Sequence, residues 1–125
     1  MKLENIPAGQ EDEFNEAMKE AQEDTNEALY VHTLKKPLDY NGKTYTEFSF
    51  DFEKLTGKDS LLVEDELQRQ GIMVMVPTFN STYLIKIAAR ACTETVGSDA
   101  FELMGISDFN RLRNKVRNFL LTSEQ

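Results

Sequence analysis

The chain has 125 residues, a formal net charge of −8, 40% hydrophobic residues and 29% charged residues. That length and balance suit one globular domain with a modest core and argue against a wholly disordered chain. No apolar run approaches the roughly 20 residues that cross a bilayer, residues 1–15 lack the basic-then-apolar order of a signal peptide, and a negative field repels nucleic acid and anionic lipid, so the expectation is a cytoplasmic protein that binds neither nucleic acid nor membrane.

Residues 1–29 hold nine acids and two lysines, net −7. Phe14, Ala17, Met18, Ala21, Ala28 and Leu29 form a weak helical stripe. Like charges one turn apart oppose that helix: Glu16 with Glu20, Glu20 with Asp24, and Glu23 with Glu27. The segment reads as a flexible acidic arm, helical only when docked, and residues 30–125 read as a single domain.

Asn41-Gly42, between Leu38-Asp39-Tyr40 and Lys43-Thr44-Tyr45, predicts a two-residue type I′ hairpin. After the turn Phe48, Phe50 and Phe52 share one face, which helices must cover, and Glu47, Ser49 and Asp51 share the other. Pro37 cannot donate to a ladder, so the first strand is an edge strand or bulges near Lys36-Pro37. Simple register places Leu34 opposite Ser49; a one-residue bulge, the favoured reading, returns it to Phe48.

Thr56 followed by Asp59 has the spacing of a helix start, and that helix ends at Gly71. The run Ile72-Met73-Val74-Met75-Val76 then stops at Pro77. It is too short for a stable helix and too apolar for an ordinary loop, and reads either as a buried connector or as an adaptable surface for another protein or for self-association.

Thr78 to Cys92 predicts a central helix with Phe79, Tyr83, Leu84, Ile87, Ala88 and Ala91 on its apolar side and Lys86 and Arg90 in water. A short helical turn follows over Asp99 to Met104, closed by Gly105. Ser107 is expected to cap a last helix whose Phe109, Leu112, Val116, Phe119 and Leu120 face inward and whose Arg111, Arg113, Lys115 and Arg117 face outward. The fold class is therefore α+β, mainly α: one N-terminal hairpin, then about four helices, with a flexible acidic N-terminal arm.

Little here supports chemistry. Cys92 and His32 are the sole cysteine and histidine, sixty positions apart, which leaves only an all-carboxylate oxygen site for a metal, without EF-hand spacing, and no paired nucleophile and base; Cys92 reads as a small buried helix residue. No glycine-rich phosphate loop occurs, and Glu64-Asp65-Glu66 spread around their helix instead of converging. The expectation is no catalytic residue, no metal and no cofactor. The short helix, the turn Gly105-Ile106-Ser107 and the basic last helix outline a helix-turn-helix, so a small DNA-binding regulator is the alternative to a protein-binding module.

Lys36-Pro37-Leu38, Tyr40-Asn41-Gly42-Lys43, the stretch Phe50 to Asp59, Tyr83-Leu84 through Ala91, Asp108-Phe109, and Val116-Arg117-Asn118-Phe119-Leu120 occur in an order and spacing that resemble the tail assembly chaperones of long-tailed bacteriophages and prophages, over about residues 34–121. The resemblance implies a non-enzymatic factor that binds the tape-measure protein, keeps its long helices soluble and recruits tail-tube protein. It also implies action in the cytoplasm of the bacterial host, absence from the mature virion, and in many members a longer frameshifted product. Residues and resemblance meet on binding. The expected partner contacts are Ile72, Met73, Met75 and Val76, with Arg111, Arg113, Lys115 and Arg117 on the last helix, which the acidic arm is expected to shield until a partner docks.

Overall fold

The computed structural model describes residues 29–123; the acidic segment expected to form an arm lies, Leu29 apart, outside them. Asn41 and Gly42 have φ of 51° and 78°, the two positive values a type I′ turn requires. From this turn β1 (Leu29–Tyr40) and β2 (Lys43–Asp51) pair antiparallel, Tyr40 opposite Lys43.

The ladder is interrupted between Leu38, opposite Tyr45, and Thr33, opposite Glu47. Residues 34–37 of β1 stand against residue 46 alone, so the bulge holds three extra residues instead of the one expected, and His32, not Leu34, lies opposite Phe48. The physical reason lies outside the hairpin. Pro37 has no N–H, while Lys35 and Lys36 turn theirs away from β2 toward the carboxylate of Asp108. Leu34, the first residue of the bulge, and Leu38, the first after it, are both buried.

The free edge of β2 is closed by residues 92–94. Thr93 N–H donates to the Ser49 carbonyl at 2.8 Å, and Ser49 N–H donates to the Glu94 carboxylate at 3.0 Å. A two-stranded hairpin is marginal alone, and this cover satisfies groups that otherwise invite a foreign strand.

Helix α1 (Gly57–Arg69) begins with the expected capping box, the Asp59 carboxylate accepting Thr56 N–H at 2.8 Å. It ends in a Schellman motif at Gly71, φ 76°, with Ile72 N–H donating to the Leu67 carbonyl at 2.9 Å. Helix α2 (Ser81–Ala91) starts later than expected. Pro77–Phe79 form a separate 3-10 turn, and extended Asn80 caps α2 by accepting Tyr83 N–H at 2.8 Å. Phe79 therefore leaves the core face and is 63% exposed. Lys86 and Arg90, expected in water, turn to α1 and pair with Glu66 and Asp59.

The single turn α3 (Ser98–Phe101) leads to α4 (Ile106–Ser123), which begins just after Gly105 instead of behind a Ser107 cap. As expected, helices cover the phenylalanine face of β2. Phe101 meets Phe48 edge-on at 5.3 Å between ring centres, and Phe119 stacks on Phe52 at 5.0 Å. Leu84, Ala88, Ala91, Leu112 and Val116 complete a core in which Phe50 is fully buried; each such large apolar side chain contributes about 2 kcal/mol.

Candidate protein-binding site

The groups with most capacity for chemistry hold the fold together. Burial, together with the Glu94 carboxylate that accepts its S–H, pushes the Cys92 thiol up to about 12, which leaves almost no thiolate near neutral pH. Cys92 is buried as expected, though it stands past the end of α2, bridged to Phe50, and not within the helix. Among the described residues no three His, Cys, Asp or Glu side chains gather to hold a metal ion.

His32 and Asp108 form a buried polar staple between β1 and α4. The Asp108 carboxylate accepts Lys35 N–H at 2.9 Å and Lys36 N–H at 3.1 Å, and the Arg111 guanidinium one turn on. His32 Nε2 donates to the Asp108 carbonyl at 2.8 Å, so Nδ1 is left to accept the Tyr30 hydroxyl at 2.7 Å. Burial of the ring holds the His32 pKa below its ordinary 6.5 against the pull of the Asp108 carbonyl, and Arg111 adds to the lowering. Burial alone raises Asp108, but the two N–H donors and Arg111 outweigh it and hold this carboxyl below its ordinary 3.8. In the sequence His32 stands out only as a possible metal ligand or a base for a thiol; its place two residues from Leu34, on the inward side, is the signal of its structural role.

The connector 72–76 alternates. Ile72 and Val74 pack against the core, whereas Met73, Met75 and Val76 are 79%, 81% and 52% exposed. Burial thus divides the run residue by residue: the inward members anchor it, and the outward ones leave flexible, polarizable side chains exposed.

The basic residues of α4 do not form the outward stripe expected. Positions two apart on a helix point to nearly opposite sides, so Arg111 and Lys115 fall on one flank and Arg113 and Arg117 on the other. Arg111 donates to the Thr33 carbonyl at 2.9 Å, and the Lys115 ammonium lies 4.6 Å from the centre of the Tyr30 ring. Arg113 donates to the Ser81 hydroxyl at 3.2 Å; Arg117 donates to the Thr78 carbonyl at 3.0 Å and covers the Phe79 ring at 5.2 Å. All four are half-buried against the fold. The helix before the turn, α3, has four residues, so the helix-turn-helix outline lacks both a first helix of ordinary length and a free basic face.

No described helix is long and apolar enough to cross a membrane. A family model described as "Phage tail assembly chaperone proteins, E, or 41 or 14" matches residues 31–121, which takes in the connector, three whole helices, and all but the first two residues of the hairpin and the last two of α4. No curated protein and no solved structure matches the chain.

Proposed function

We propose that this chain, which belongs to the phage tail assembly chaperone family, binds the tape-measure protein, keeps its long helices soluble and recruits tail-tube subunits. Membership supports a role in tail assembly, and the family is one of assembly chaperones and not an enzyme family. The observation that carries the finer reading is the connector: Met73 and Met75 stand about four-fifths exposed on a backbone anchored by Ile72 and Val74. A chaperone for amphipathic helices needs such an adaptable apolar ridge and no preorganised reactive centre. The protein acts in the cytoplasm of the bacterial host and leaves before the virion is complete. The expected shielding of α4 by residues 1–29 has less to cover, because Arg111, Arg113, Lys115 and Arg117 already contact the fold.

Co-expression with the tape-measure protein tests this. The tape-measure protein is expected to become soluble and to co-purify, and Met73→Ser with Met75→Ser to reduce that yield about tenfold. A tape-measure protein that stays insoluble overturns the proposal, and equal yields with the double variant remove the connector from it.

A further inference from the structure

We propose that a basic amphipathic helix is the occupant of one continuous valley, walled by the connector, α2 and the α3–α4 junction; the inference deepens the function proposed above and rests on it. Three hollows share walls. The central one, about 470 Å³, has Ile72, Ile85 and Phe109 as its apolar floor. A second, about 480 Å³, continues from Ile72 past Met73 and Val74, and a third, about 290 Å³, continues from Phe109 past Met104 and Ile106. The apolar floor therefore runs from the connector to the start of α4, drawn from three separate stretches of chain, and its ends are marked by Met73, 79% exposed, and Ile106, 74% exposed. An elongated trough of this kind suits a helix presenting apolar residues at i, i+3, i+4 and i+7 better than a compact small molecule.

Charge selects which helix. Glu64 lies at the connector end and Asp99 and Glu102 beside Phe109 and Ile85, whereas Lys86, the sole base of these walls, is already paired with Glu66 at 2.8 Å. Among the described residues Glu64 and Glu102 have no ion-pair partner, and Asp99 accepts only the Tyr40 hydroxyl. The rim stays negative at both ends. Lysines or arginines flanking the apolar stripe of the incoming helix complete it, whereas the chain's own residues 1–29, net −7, are repelled.

The test titrates the full chain with a peptide of about 18 residues, five helical turns, carrying leucines at helical spacing and lysines elsewhere, and with its counterpart carrying glutamates. The lysine peptide is expected to bind and to shift the methyl resonances of Ile72, Ile85 and Ile106. Ile106→Ser is expected to weaken it about tenfold, and Glu102→Lys to weaken the lysine peptide while strengthening the glutamate one. Equal binding of both peptides, shifts confined outside the valley, indifference to both substitutions, or self-association through Ile106 each overturns the proposal. The two readings separate cleanly. If both variants still solubilise the tape-measure protein like the unchanged chain, the function stands and the valley falls; if the lysine peptide seats in the valley but the tape-measure protein stays insoluble, the valley stands and the function falls.

Discussion

At Asp108 helix α4 supplies a negative charge to a strand bulge that has lost its ladder partners. Its oxygens take the N–H groups of Lys35 and Lys36, and removing them leaves two donors unmatched and the Arg111 guanidinium with the Thr33 carbonyl but no carboxylate. Asp108→Ala is therefore expected to destabilise the fold by about 3 kcal/mol, measured by urea unfolding, and a loss under about 1 kcal/mol contradicts the staple. His32 adds a pH dependence of definite sign. Its folded pKa lies below the ordinary 6.5, so the unfolded chain takes up the proton first, and stability is full above about pH 6.5 and falls as the pH drops below it. Asp108 acts lower: its depressed pKa contributes stability above about 3.8 that is lost as the pH falls through the folded value. Urea midpoints at pH 7.5 and 5.5 should show the His32 decline, and His32→Gln should flatten it; an unchanged slope in that variant assigns the decline elsewhere.

At the scale of elements, what short-range chemistry specifies was legible. The hairpin turn, the phenylalanine face and both ends of α1 follow from residues within a few positions of one another. Gly71 carries a prediction of this kind. Its φ of 76° is costly for any residue with a Cβ, yet a Cβ there meets nothing within 4 Å, so Gly71→Ala should lower stability by backbone strain alone, about 1 kcal/mol in thermal unfolding. What was missed depends on distant partners or on fine geometry. The size of the bulge is set by Asp108, more than seventy positions away from Lys35 and Lys36. Arg111, Arg113, Lys115 and Arg117 looked like a stripe only as a run in the sequence; the helix divides them between two flanks. The later start of α2 turns on Asn80, which caps a helix where the apolar pattern alone runs on from Phe79.

Across the whole molecule, the side chains that stabilise the fold and those the connector leaves exposed are separate sets. Phe48, Phe50, Leu84 and Leu112 are fully buried, whereas Met73 and Met75 contribute little burial. The connector could be singled out in sequence because five apolar residues in a row had no helix or strand to join; the valley could not, since Ile72, Ile85, Ile106 and Phe109 come together only when the helices pack. This separation makes a paired measurement decisive. Phe50→Ala opens a cavity beneath the helices and should cost about 4 kcal/mol, reducing stability and tape-measure solubilisation together. Met73→Ser with Met75→Ser should leave the unfolding free energy from urea titration within about 0.5 kcal/mol of the unchanged chain while solubilisation falls. A double variant that loses both in proportion shows the methionines to be part of the core's support, and the exposed ridge then ceases to be the partner's contact.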